Sequence, residues 1–249
     1  HNSQFGSSFV PRFALTKAGP IFHLKLLASR AFRAPAIENL QLNPGVVPER
    51  SSTLELEVGA KLGRGYLALN LFDIAIHHPI VYQYDAVSNA QTYFNYPRTG
   101  TRGFELDFQV RGEWGSIRTA LTVSQAHQNQ VPDFVVPGEA RHMVGLANLK
   151  ATLLGEFRLG SGWSFAPSAL FMGRRFTFES EGVPVHQAPA ALIHAALHRD
   201  LSPRRLQLTV GVRNLTGANL GFPKAYQGTD GDTYPGAPRT FFVRLSGRF

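Results

Sequence analysis

The sequence predicts an all-β fold: about eleven antiparallel strands that build part of a transmembrane β-barrel. Three observations predict it. Several segments alternate apolar and polar residues with a period of two, the mark of a strand whose two faces meet different surroundings. The breaks between segments alternate strictly between tight turns and long connections. Aromatic residues gather at the tight-turn end.

Two weakly alternating segments, residues 9–16 and 21–30, open the chain and are joined by Lys17-Ala18-Gly19, after which residues 31–51 make the first long connection. Residues 53–62 give the clearest strand. Leu54, Leu56, Val58, Ala60 and Leu62 share one face, and Thr53, Glu55, Glu57, Gly59 and Lys61 the other. Gly63-Arg64-Gly65 turns the chain into residues 66–76, and residues 77–101 connect onward. Phe104, Leu106, Phe108 and Val110 then alternate with Glu105, Asp107, Gln109 and Arg111. The turn Gly112-Glu113-Trp114-Gly115 leads to a strand at 116–127, and the long connection 128–141 to another at 142–158. Gly160-Ser161-Gly162 precedes a strand at 163–178; residues 179–188 connect to 189–199, which Leu201-Ser202-Pro203 closes. Leu206, Leu208, Val210 and Val212 alternate with Gln207, Thr209, Gly211 and Arg213. After residues 215–237, Phe241, Val243, Leu245, Gly247 and Phe249 alternate with Phe242, Arg244, Ser246 and Arg248.

Sorting of connections carries the argument for a barrel. One rim of such a sheet bears turns and the other bears loops, as in barrels with periplasmic turns and extracellular loops. A soluble sandwich has no reason to sort them. Phe22, Tyr66, Trp114, Trp163 and Phe249 fall at the turn rim, where an interfacial belt belongs. No apolar run approaches the ~18 residues of a membrane-spanning helix, so a membrane would be crossed by strands. Charge on a lipid face near mid-bilayer costs about 2–4 kcal/mol in the worst cases. Leu54, Leu56, Val58, Phe104, Leu106 and Phe108 are therefore expected to face lipid, and Glu55, Glu57, Glu105 and Asp107 the lumen.

Composition excludes some chemistry. With no cysteine there is no disulfide, thiolate metal site or thiol nucleophile. The net charge of +8 is spread along the chain, which fits an anionic membrane surface without implying a nucleic-acid patch. The chain lacks the HExxH, phosphate-loop and nucleophile-elbow patterns, so no catalytic residue is assigned. His77-His78 opens a long connection, but adjacent residues of a strand point to opposite faces and cannot chelate together. Asp230-Gly231-Asp232 lacks the further carboxylates of a calcium loop and reads as a turn. No metal site and no cofactor is expected. The chain starts at His1 with no leader and is expected to be a portion of a longer protein.

Five motifs in order resemble the TonB-dependent outer-membrane receptors: Ser29-Arg30-Ala31-Phe32-Arg33-Ala34-Pro35, residues 43–51 (Asn-Pro-Gly-Val-Val-Pro-Glu-Arg-Ser), Thr99-Gly100-Thr101-Arg102-Gly103-Phe104-Glu105, Val212-Arg213-Asn214-Leu215-Thr216, and Pro235-Gly236-Ala237-Pro238-Arg239-Thr240-Phe241 leading to the end Gly247-Arg248-Phe249. Val46, Val47, Gly217 and Gly247 depart from that family's pattern. The resemblance implies that residues 1–249 are the C-terminal part of a barrel of about 22 strands, without the plug domain. It implies uptake of a scarce ligand across the outer membrane of a Gram-negative cell with TonB-supplied energy, and a ferric siderophore as that ligand. Haem receptors of the family carry a histidine between the first two boxes. Residues 36–42 contain none, while cobalamin and oligosaccharides stay open. Ligand-facing candidates are Arg30, Arg33, His77, His78, Tyr82, Arg98 and Arg102; the arginines suit a ferric chelate and suit lipopolysaccharide phosphates equally. Implied partners are the TonB system through the plug, the barrel assembly machinery through Phe249, outer-membrane lipid, lipopolysaccharide and an iron chelate, with no nucleic acid. A passive porin-like channel, a barrel enzyme and a soluble basic β protein are the alternatives.

Overall fold

The computed structural model describes residues 5–85, 87–178, 184–202, 206–222 and 233–247. The elements are β1 (Arg12–Ala18), β2 (Phe22–Arg33), a short helix α1 (Ile37–Leu42), β3 (Glu49–Leu62), β4 (Gly65–His77), β5 (Ile80–Asp85), β6 (Ala90–Asn95), β7 (Arg98–Gly112), β8 (Gly115–Ala126), β9 (Leu149–Gly160), β10 (Trp163–Met172), β11 (Arg175–Phe178), β12 (Pro184–Gln187), β13 (Ala190–Ser202), β14 (Leu206–Arg213) and β15 (Thr240–Gly247). Eleven strands form one sheet in the order β1-β2-β3-β4-β7-β8-β9-β10-β13-β14-β15. Every pair in it is antiparallel, and the strands follow one another in chain order with only the hairpins β5–β6 and β11–β12 set outside. Among the described residues β1 pairs only with β2 and β15 only with β14.

Register carries the two-faced pattern across the whole sheet. One row reads Leu26, Leu56, Leu71, Phe104, Val123 and Leu149 from β2 to β9. The row beside it on the opposite face reads Lys25, Glu57, Asn70, Glu105, Thr122 and Lys150. Thus Leu54, Leu56, Val58, Phe104, Leu106 and Phe108 share the apolar face, and Glu55, Glu57, Glu105 and Asp107 the polar one. The apolar side chains are left uncovered: Leu54 and Leu71, on strands paired at both edges, keep 54% and 46% of their surface. A face of that kind needs a solvent other than water.

Three expectations change. Tyr66 does not join the belt. It is the second residue of β4, opposite Lys61 on the polar face, where its ring stacks on His23 at 5.7 Å between centroids. Its strand register, rather than its closeness to a turn, sets its direction. Residues 163–178 are not one strand, because β10 ends at Met172 and the Gly173 N–H is taken by the Leu149 carbonyl at 2.7 Å. Beyond that point β11 pairs with β12 outside the main sheet. Residues 142–148 likewise stay in the loop layer, and the strand begins at Leu149. The long connection after β4 holds a second hairpin, β5–β6.

Of the other aromatics expected there, Phe22, Trp114 and Trp163 lie at the turn rim. Trp114 stacks on Phe157 at 5.8 Å, Phe157 lies 6.5 Å from Phe165, and the Arg199 guanidinium sits 5.1 Å over Trp163. Phe249 and part of residues 179–188, 201–203 and 215–237 lie outside the described residues. The most completely buried side chains, Leu220, Val131 and Thr177, belong to the loop layer or its hairpin and not to the sheet. A single sheet has no second layer to pack on, so the loops form a core of their own with Val46, Val136 and Phe176.

Candidate ligand-facing rim

At the loop rim the connection after β2 and the hairpin β5–β6 are fastened by side-chain amides. Asn43 Nδ2 donates to the Tyr93 carbonyl at 2.7 Å while its Oδ1 accepts from Gly45 N–H at 2.9 Å. Asn95 Oδ1 accepts from Val47 N–H at 2.7 Å, and its Nδ2 donates to the carbonyls of Val47 at 2.9 Å and His78 at 2.7 Å. An amide matches a peptide group donor for acceptor, so each Asn splices one loop to another as a strand pair would. Tyr93 hydroxyl donates to Glu38 Oε1 of α1 at 3.0 Å. Burial first, and then that carboxylate, raise the Tyr93 phenol above its usual pKa. Gln83 of β5 reaches both Tyr96 and Asp133, which ties the hairpin to the connection after β8. These contacts set the loops in place before any ligand arrives.

The seven predicted residues divide. Arg30, His77 and His78 line one cavity of about 470 Å³ together with Arg50, Ser52 and Phe9. Arg98 lies opposite His77, which lies opposite Arg50. Arg102 lies opposite Asp73. By register Arg30, His77, Arg98 and Arg102 continue the face that bears Leu54 and Phe104, beyond its apolar rows. Arg33 falls on the other face and is ion-paired with Glu49. Tyr82 belongs to the β5–β6 hairpin, packing edge-on against Tyr93 at 5.4 Å. The structure therefore gathers Arg30, His77, His78 and Arg98 near one another, and leaves Arg33 and Tyr82 elsewhere.

One loop cluster had no sequence warning. Glu139 accepts from Arg174 at 3.2 and 3.3 Å and stands 3.0 Å from His142 Nδ1. Arg174 also sits 5.4 Å over the Phe176 ring, against which His142 and His186 pack edge-on. Next to it Arg175 is 2% exposed and donates to the Gly221 carbonyl at 2.8 Å. Reading residues 163–178 as one strand hid the Gly173-Arg174-Arg175 break that places these groups. Among the described residues no three metal-ligating side chains converge.

A family model described as TonB dependent receptor-like, beta-barrel, matches residues 1–215. The ferric enterobactin receptor of Pseudomonas aeruginosa superposes with a TM-score of 0.77 at 18% identity, over 99% of this chain and 41% of that one. The siderophore receptor PirA of Acinetobacter baumannii gives 0.78 at 15% identity, over 99% and 42%. The FrpB iron transporter of Neisseria meningitidis gives 0.74 at 14%, over 98% and 39%. These likenesses establish the fold, and the chain spans about two fifths of each of those proteins. The family match covers most of the sequence, and the eleven-stranded sheet with its short turns at one rim has the architecture that match requires: the chain belongs to the TonB-dependent receptor β-barrel family.

Proposed function

We propose that this sheet is wall from an outer-membrane receptor that takes up a ferric siderophore with energy relayed by TonB through a plug domain. The observation that carries it is the pairing of an uncovered apolar face with loops that are spliced into a packed layer at one rim only. An apolar outer face fits strands set in lipid. Packed loops on one side fit capture of a ligand from that side, because loops already held in place lose less freedom on binding. The similar solved proteins named as siderophore receptors or iron transporters support an iron chelate as cargo. Arg33, Tyr82, Arg174 and the long connections are the contacts we assign to it, the arginines by charge-assisted bonds to an anionic chelate. The polar face, with Lys25, Glu57, Glu105 and Lys150, is the surface left for a plug.

Transport of ⁵⁵Fe carried by a panel of catecholate and hydroxamate chelates tests this in cells that express the complete receptor. Accumulation of at least one chelate that disappears when TonB is removed is the expected result. Chelate entry that is indifferent to TonB would leave a passive channel instead.

A further inference from the structure

The polar face is not uniform in charge. On β3 and β7 it carries Glu49, Glu55, Glu57, Glu105 and Asp107, and Lys25, Lys61 and Arg111 stand among them, so the two signs offset. Glu49 is further paired with Arg33, and Glu57 with His23 at 2.8 Å. On β8 and β9 the same face carries Arg118, Lys150 and Arg158 against one carboxylate, Glu156. The next strand, β10, turns Ser164, Ala166, Ser168, Leu170 and Met172 to this face and adds no charge. Arg118, Lys150 and Arg158 are exposed, and among the described residues none of them makes an ion pair. Arg158 Nη1 donates to the Glu113 carbonyl at 3.4 Å, which leaves its charge uncompensated.

The three are evenly spaced. Lys150 is the second residue of β9 at the loop rim, and Arg158, eight residues on and facing the same way, is about 27 Å further down the strand. Arg118 of β8 lies opposite Leu154, halfway between them. Cations thus descend this part of the wall from loop rim to turn rim, one per level. A surface of one sign draws an anion toward it, whereas a mixed one does not. Separation matters as much as sign, because a charged species crosses a protein when each site along its way holds it weakly enough to let go. Three cations clustered at one level would trap an anion; three at successive levels pass it on. We propose that Lys150, Arg118 and Arg158 form the track along which an anionic ferric chelate leaves the loop layer and descends the wall on its β8–β10 side. The proposal rests on the uptake reading above and adds to it the side of the wall that the cargo follows.

The test uses the full-length receptor in cells and has two arms. In the first, Thr152→Cys, level between Lys150 and Arg118, is labelled with small thiosulfonates that carry either a sulfonate or a quaternary ammonium; the present chain has no cysteine to compete. The sulfonate should react faster there, and the preference should be lost when Lys150→Gln, Arg118→Gln and Arg158→Gln are added. At Asn70→Cys, between Glu57 and Glu105, no such preference is expected. Equal rates of the two reagents at Thr152→Cys, or a preference that survives the triple substitution, overturns the track. In the second arm, uptake of a ⁵⁵Fe tris-catecholate by the triple Gln variant should fall several-fold in maximal rate with half-saturation unchanged, since the cations lie below the loops that capture it. A changed half-saturation with an unchanged maximal rate would make them capture residues and overturn the proposal. So would entry of a large antibiotic through the variant, which would mark them as anchors of the plug. Unchanged heat-modifiable gel mobility of each variant shows that the barrel has formed. The labelling arm needs no chelate, so its failure is told apart from failure of TonB-dependent uptake.

Discussion

Asn214 illustrates how much a single side chain does at the end of a strand. Its φ of 50° lies in the left-handed region that Asn tolerates better than most residues. From there its Nδ2 donates to the carbonyls of Ala218 at 2.9 Å and Ala237 at 3.0 Å, and its Oδ1 accepts from Ala218 N–H at 2.9 Å. The residue is 3% exposed, so each partner left behind would be a buried polar group without a bond. The glycosylation-like pattern at Asn214-Leu215-Thr216 is thus a strand-ending device. Asn214→Ala should destabilise the loop junction by about 2–4 kcal/mol. Limited proteolysis of the folded receptor would show it as faster cleavage in residues 215–239, whereas Asn214→Asp, which keeps the acceptor, should be intermediate. Identical cleavage of parent and Ala variant would contradict this account.

Glycines decide whether neighbouring strands can meet. A Cβ at Gly103 would stand 2.0 Å from the Val123 carbonyl oxygen and 2.9 Å from Ser124 Cα, so Gly103→Ala must push β7 away from β8. Gly59 is of a different kind, since a Cβ there would meet the His23 ring at 2.0 Å, and that ring is held by Glu57 at 2.8 Å. A side chain can swing aside; a backbone carbonyl cannot. Gly103→Ala is expected to lower the amount of folded receptor in the membrane several-fold, and Gly59→Ala to be tolerated with the His23–Glu57 contact broken. Immunoblots of outer-membrane fractions would rank them, and the reverse order would show that β7–β8 pairing is not the limiting contact. The strands themselves were legible in the sequence because lipid and water impose opposite demands on alternate residues. The hairpins β5–β6 and β11–β12 were not, since both of their faces meet protein or water and nothing sorts them. Candidate site residues suffered from one boundary. With a strand ending at 30, Arg30 read as its last residue and Arg33 as part of the connection, both simply near the loop rim, but β2 runs to Arg33, and residues three apart on a strand face opposite ways.

For the molecule as a whole, the loop connections and the last strand carry separate tasks. Removing residues 80–95, the β5–β6 hairpin, cuts the Asn43, Asn95 and Gln83 splices together. It should weaken chelate binding at least tenfold while leaving the amount of barrel in the membrane unchanged; unchanged affinity would place recognition in the plug or in strands outside this chain. Phe249, beyond the described residues, is expected to act in assembly. Its deletion from the complete receptor should sharply lower outer-membrane levels, with Phe241→Leu tolerated. Equal levels for the deletion and the parent would reduce Phe249 to one more interfacial anchor, worth on the order of 2 kcal/mol of buried surface.

The burial of Leu220, Val131 and Thr177 in the loop layer has a practical consequence. In a water-soluble domain, ranking positions by lost surface area finds the scaffold, and variation collects in the loops. Here such a ranking finds the loops, while positions that look free, such as Phe241 and Val243, contact whatever surrounds the sheet. Mutational tolerance in this protein is therefore a map of its solvents. Polar substitution at Val243 should be mild in a detergent that offers water nearby and severe in a bilayer, whereas polar substitution at Val131 should be equally damaging in both.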